Sequence, residues 1–181
     1  MDNSTDTLVN IALAATRASF VGTHQHLFLV GTEGLQRPEA PRRTVQLDRM
    51  ELEHLTPVHE PTAPPTRPPR PDWLVLPLKK MQETFPAMIT VGRTANNDIV
   101  LADVTISKLH AFFQTPAGGL ELCDAGSRNG TFVDGRRLPG RGKGEKVKPG
   151  DFVRFGQISL RILDAGATWD AVQKGLRGRA G

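Results

Sequence analysis

Beyond residue 72 the hydrophobic positions of this chain alternate with polar ones at a period of two. Leu74, Leu76 and Leu78 do so, as do Ile89 with Val91 and Leu120 with Leu122. Val153 with Phe155, and Ile158, Leu160 and Ile162, repeat the pattern. That period turns one face of a strand toward a core. Turn-forming residues separate the runs at Thr94–Asn97, Pro116–Gly119, Asp134-Gly135 and Pro149-Gly150. Asp134-Gly135, between Phe132-Val133 and Arg136-Arg137-Leu138, is a strong hairpin signal. Short strands at this spacing predict an all-β domain, an antiparallel β-sandwich.

The N-terminal part reads differently. Leu8, Ile11, Ala12 and Ala15 recur at helical spacing, behind Ser4, Thr5 and Asp6 as possible caps, which predicts a helix from about Asp6 to Phe20 ended by Gly22. His26–Gly31 is a short apolar run suited to a buried strand, and Thr44–Asp48 alternates weakly. Residues 1–55 are too few to bury a core alone, so this appendage is expected to pack on the following domain or on a partner. Residues 56–71 are Pro-rich, and a run without backbone donors favours polyproline II and makes a semi-rigid linker. The sandwich is assigned to 72–165. Residues 166–181 are predicted to form a short helix, with Thr168 as cap and Trp169, Val172 and Leu176 on one face, before a basic tail.

Composition narrows the classes. A chain of 181 residues with 38% hydrophobic and 23% charged residues holds one ordinary domain with appendages. Its single cysteine, Cys123, excludes an intrachain disulfide and a C-x-x-C metal site. No run approaches the ~18 apolar residues of a membrane span, and Leu8–Ala15 lacks the basic flank of a signal peptide. A cytoplasmic setting is the default expectation. Residues 1–71 carry seven Lys/Arg against eight Asp/Glu, whereas residues 72–181 carry sixteen against eleven. The positive field belongs to the sandwich half and suits an anionic ligand.

Four polar signatures lie where the apolar segments end. They are Gly92-Arg93, Asn97-Asp98-Ile99-Val100-Leu101, Ser107-Lys108-Leu109-His110-Ala111 and Ser127-Arg128-Asn129-Gly130-Thr131. Arg93, Ser107, Lys108 and Arg128, brought together on neighbouring loops, would make a pocket for a doubly charged oxyanion. No carboxylate, His or Cys in these blocks is placed to do chemistry on it. The pattern reads as a phosphate-binding site and not as an enzyme, and there is no Gly-rich phosphate loop followed by Lys and Ser/Thr.

Together with Gly150-Asp151-Phe152-Val153-Arg154-Phe155-Gly156, these blocks resemble the forkhead-associated (FHA) domain over roughly residues 72–164. The ordered set G-R, N-D-I-x-L, S-x-x-H, D-x-G-S-x-N-G-T and G-D-x-x-x-F-G is specific in a way that no single block is. One departure is Lys108, where many relatives carry Arg; it offers a point charge in place of a planar fork. The resemblance implies an FHA-type sandwich that captures phosphothreonine, with a threonine-phosphorylated protein or a Ser/Thr kinase as partner. It assigns Arg93 to the phosphate. Ser107 is expected to add a hydroxyl hydrogen bond, Lys108 and Arg128 charge, and Asn129 a grip on the peptide backbone. His110 is implied to brace the Ser107 loop, with Ser127 and Asp124 bracing theirs. Gly130 reads as a position of positive φ or close approach, and Thr131 as holding the loop.

Each residue has a plainer alternative, such as Arg93 paired with Asp98 or Asp103. His24 and His26 form an H-x-H pair without an evident third metal ligand. No cofactor, metal or small-molecule substrate is expected. The competing readings are nucleic-acid binding through Arg136, Arg137, Arg141, Lys143, Lys146 and Lys148, and an FHA scaffold that binds no phosphate. The first lacks any recognised nucleic-acid motif; intact Arg93, Ser107 and Asn129 speak against the second.

Overall fold

The protein is described by a computed structural model. The structure describes residues 4–32, 73–117, 119–140 and 143–177. The weak strand expected at 44–48 and the linker at 56–71 lie outside the described residues.

Two sheets face each other. One has six strands in the order β2 (Trp73–Pro77), β1 (Phe28–Thr32), β11 (Ile158–Leu163), β10 (Phe152–Phe155), β7 (Thr131–Val133) and β8 (Arg136–Arg137). The other has β4 (Ile99–Val100), β3 (Met88–Gly92), β5 (Ala111–Gln114), β6 (Glu121–Asp124) and β9 (Gly144–Lys146). All pairings are antiparallel except β3 with β4, where Val91 faces Ile99. That parallel bridge is confined to two residues because Asn97 folds the connecting loop back on itself. Its amide nitrogen donates to Thr94 O and Lys108 O, both at 2.8 Å.

The period-two residues meet between the sheets. Leu29, Leu76, Val91, Phe113, Phe155 and Ile162 are among the buried residues of this main core. The Asp134-Gly135 turn joins β7 to β8 with both residues at positive φ, 47° and 82°, the twist a two-residue hairpin requires.

The apolar run at 26–31 supplies β1, an inner strand that pairs with β2 on one side and β11 on the other. Its outward residues Phe28 and Val30 join Val75 and Leu163 in a second buried cluster. Three helices cover it: α1 (Ser4–Ala14), α2 (Arg17–Thr23) and α3 (Ala165–Arg177), contributing Ala12, Phe20 and Val172. The single helix expected over Asp6–Phe20 is therefore two. The first ends at Ala14, and Thr16 caps the second, its hydroxyl accepting Ser19 N–H at 3.3 Å. Thr168 is not the cap of the last helix. That helix begins earlier because Asp164 accepts Ala167 N–H at 2.7 Å, and Thr168 lies inside it, donating its hydroxyl to Asp164 O.

Phe28 ties the helical layer to the sheet, since it is fully buried and stacks near Phe20 at 5.9 Å between centroids. Phe28→Ala should cost about 3–5 kcal/mol, read as a shift in the urea midpoint of the whole chain. A loss below about 1 kcal/mol would show that the helices do not pack there.

Candidate functional site

The polar blocks meet at one end of the sandwich. Arg93 follows β3, Ser107 and Lys108 stand in the loop before β5, and Arg128 and Asn129 stand in the loop before β7. Together with Val104, Thr105 and Ile106 they line a cleft of about 240 Å³. All five residues singled out as ligand contacts are thus brought together, and no carboxylate side chain lines the cleft.

Local chemistry sets each loop. Arg93 N–H donates to Ser107 O at 2.9 Å, and its Nε donates to Ile106 O at 3.2 Å, which aims the guanidinium across the loop. The alternative pairing with Asp98 is not made, because that carboxylate is occupied. It accepts N–H from Thr90, Met81 and Gln82 at 2.6–2.7 Å, the Thr90 hydroxyl at 2.9 Å and Lys80 Nζ at 2.9 Å. Gly92 is required by close approach, since a Cβ there would sit 2.2 Å from Lys108 O.

Ser107 is held at both ends. Its N–H donates to His110 Nδ1 at 3.0 Å, and its Oγ accepts Arg128 N–H at 3.1 Å. The Oγ–H proton remains for a ligand. Asn129 donates its amide nitrogen to Thr105 O at 2.7 Å, leaving its carbonyl oxygen as an acceptor at the rim. Thr105 is fixed in turn by Asp103 Oδ1, which accepts both its N–H at 2.8 Å and its hydroxyl at 2.6 Å.

The bracing residues lie beneath. His110 is fully buried, and its Nε2 bonds Gly130 O at 3.2 Å. Asp124 Oδ1 accepts the hydroxyls of Ser127 and Thr131, at 2.6 and 2.7 Å, and Oδ2 the N–H groups of Gly126 and Ser127. Gly130 has φ +83° and donates its N–H to Ser127 Oγ at 3.0 Å. Sequence reasoning did not assign Thr105, Ile106 or Val104 to the site. The Asp103-x-Thr105 spacing of an Asx-type turn was the available signal.

Burial and hydrogen bonding compete for the titrating groups. Burial pushes His110 below its ordinary range, against the opposing pull of Gly130 O and Asp124. Burial alone would raise Asp98. The Thr90 amide, then Lys80 and the Met81 and Gln82 amides, outweigh it and hold the carboxyl well below the usual range. Asp124 is likewise lowered against its burial, through Ser127 and Thr131 first and then the two loop amides. What remains in the cleft is cationic and donor-rich. Three positive side chains, a hydroxyl and an amide can hold a tetrahedral dianion, with Arg the planar and Lys the point-charge contribution.

Among the described residues no cluster of three or more His, Cys, Asp or Glu could hold a metal. His24 and His26 pack edge to face at 5.5 Å between centroids, against Phe20 and Phe28. No described helix is long and apolar enough to cross a membrane.

Residues 89–156 match the family model described as the FHA domain. The chain is 40% identical over 75 residues to an oxoglutarate dehydrogenase inhibitor of Corynebacterium diphtheriae, covering 41% of this chain and 50% of that protein. It is 37% identical over 74 residues to a glycogen accumulation regulator of Mycolicibacterium smegmatis, covering 41% of this chain and 44% of the other. The chain thus spans half or less of the length of these relatives. Among solved structures, the second FHA domain of a Mycobacterium tuberculosis ABC transporter is 31% identical, with a TM-score of 0.39, covering 62% of this chain and 92% of that one. The chain carries an FHA domain.

Because Asp98 has a depressed folded pKa, its stabilisation is present above the unfolded value near ~3.9. It is lost as pH falls through the folded value. Asp98→Asn should cost at least about 2 kcal/mol at neutral pH, where buried donors lose their acceptor, and the two stability curves should converge on acidification. Denaturant unfolding from neutral to acid pH measures this; a constant gap between the curves would contradict it.

Proposed function

We propose that the FHA domain of this chain is a phosphothreonine-dependent, non-catalytic binding module that joins a threonine-phosphorylated protein to Ser/Thr kinase signalling. The observation that carries this reading is the carboxylate-free cleft in which Arg93, Ser107, Lys108, Arg128 and Asn129 converge. A phosphate monoester brings a charge of about −1.5 to −2 and three strong acceptor oxygens, which such a cleft is built to receive.

Each side chain then has a task. Arg93 neutralises the phosphate and donates to its oxygens. The Ser107 hydroxyl donates a further bond, from an oxygen already positioned by Arg128 N–H. Lys108 and Arg128, both exposed, add charge at the rim. Asn129, anchored on Thr105 O, offers its carbonyl oxygen to an N–H of the bound peptide backbone. Two relatives are named as an inhibitor and a regulator, which supports action by binding. Localisation in the cytoplasm fits a partner modified by a kinase.

The test is calorimetric titration of the whole chain with the best peptide from a phosphothreonine library. Binding should need the phosphate, and Arg93→Ala should weaken it by about twenty-fold or more, because one side of a desolvated charge pair is removed. Unfolding curves of the variant should match the wild type. Equal affinity for the unphosphorylated peptide, or a change below about threefold in the variant, would contradict the reading.

A further inference from the structure

The outer face of the six-stranded sheet is divided. Helices α1, α2 and α3 cover the half formed by β1, β2 and the end of β11, over Phe28, Val30, Val75 and Leu163. On β10, β7 and β8 the outward positions are different: Phe152 and Arg154, Phe132, and Arg137. Val153, Phe155 and Val133 point the other way, into the core. Register places these outward residues in two rows. Arg137, Phe132 and Arg154 lie side by side, and Phe152 stands beside Arg161 of β11.

The arginines are laid on the aromatic rings. Arg154 Cζ sits 3.5 Å above the centre of Phe132, and Arg161 Cζ sits 5.0 Å from that of Phe152. Arg154 Nη1 donates to Gly156 O and Arg161 Nε to Gly150 O, so both guanidinium planes are fixed by backbone. None of the three arginines pairs with a carboxylate among the described residues. The outward positions of β7, β8 and β10 carry no carboxylate either.

This stripe begins at the cleft. Arg137 Nε lies 2.7 Å from where a Cβ of Gly130 would stand, in the loop bearing Arg128 and Asn129. Gly156, which holds Arg154, donates its N–H to Gly130 O and packs against Thr105, part of the cleft lining. Successive outward positions of a strand are about 7 Å apart, so the Arg161 row lies one step further from the cleft.

We propose that this face binds an acidic flank of the phosphorylated partner: a segment rich in Asp or Glu, continuous with the phosphothreonine, that leaves the cleft and runs over Arg137, Arg154 and Arg161. The inference rests on the phosphate reading of the cleft and extends it to the class of sequence around the phosphothreonine. Guanidiniums stacked on rings and held by carbonyls lose little freedom on binding, and their planar forks match carboxylates. A strip of uncompensated positive charge joined to a phosphate-sized cleft suits one acidic, extended ligand better than two separate ones.

Calorimetry on the whole chain tests it with phosphothreonine peptides of one core sequence. In one a run of Glu precedes the phosphothreonine, in a second the run follows it, and in a third Gln replaces Glu throughout. One Glu-bearing peptide should bind about fivefold or more tighter than the Gln peptide, as exposed charge pairs allow. Arg137→Gln with Arg161→Gln should remove that advantage and leave affinity for the Gln peptide unchanged. Arg137 makes no described hydrogen bond or ion pair, so Arg137→Gln alone, with half or more of the effect, serves if the double variant is unstable. Equal affinity of all three peptides, with phosphate still required, overturns the flank and spares the cleft. An advantage that survives both variants overturns it as well. If phosphate is not required by any peptide, the cleft reading fails and the flank with it. Single-stranded oligothymidine bound more tightly than the Glu peptides, and released by the same substitutions, would replace the acidic flank with nucleic acid.

Discussion

A single buried imidazole holds the two principal loops of the site in register. His110 accepts Ser107 N–H at Nδ1, so the proton stands on Nε2 and is donated to Gly130 O. Its backbone continues the bracing: its N–H donates to Val91 O at 2.8 Å, and its carbonyl accepts Ala125 N–H at 3.0 Å. Strand β3, the loop carrying Ser107 and the loop carrying Arg128 and Asn129 are therefore tied through one residue. Only the neutral ring can do this, since a protonated one would turn a second donor on Ser107 N–H. Burial, which lowers the pKa of His110, keeps the ring in that form.

Negative charge is managed around this brace. Asp98 and Asp124 are both needed, and both are consumed internally: Asp98 gathers the backbone before β3, and Asp124 gathers the loop that follows β6. Each carboxylate faces inward onto N–H and O–H donors, which leaves the cleft lined by cations and neutral donors. Geometry and electrostatics are thus the same device. The donors that fix the loops are also the ones that neutralise the carboxylates, and the positive side chains are left to the solvent end.

Much of this was legible in the sequence where the relevant contacts are local or strictly periodic. The alternation at Leu74–Leu78 and Ile158–Ile162 sets those residues on one face, which packs on the main core, although the helices bury Val75 and Leu163 on the other. Asp134-Gly135 specified its hairpin because few other residue pairs tolerate positive φ twice. The polar blocks identified the residues that converge on the cleft, since each stands at the end of an apolar run. Contacts across long stretches of chain were not legible. Nothing near Phe28 says that its strand enters the middle of a sheet whose neighbouring strands begin at residues 73 and 158. Two capping choices also misled. Thr16 sits inside a helical pattern yet splits it, and Asp164 competes with Thr168 for the start of the last helix and wins. Asp98 could have faced Arg93 on spacing alone; the donors at Thr90, Met81 and Gln82 claimed it.

In the proposed function one preorganised cleft, braced by His110, receives the phosphothreonine. The most direct measurement is residue-resolved NMR of the uniformly 15N-labelled chain during titration with a phosphothreonine peptide. The largest amide shifts should fall on Arg93, Ser107, Lys108, Arg128 and Asn129, while the His110 ring nitrogens should keep the signature of a neutral ring protonated on Nε2 throughout. Shifts centred elsewhere, for example on the groove between Arg17, His24 and Ala165, or a His110 ring that becomes protonated on binding, would contradict it.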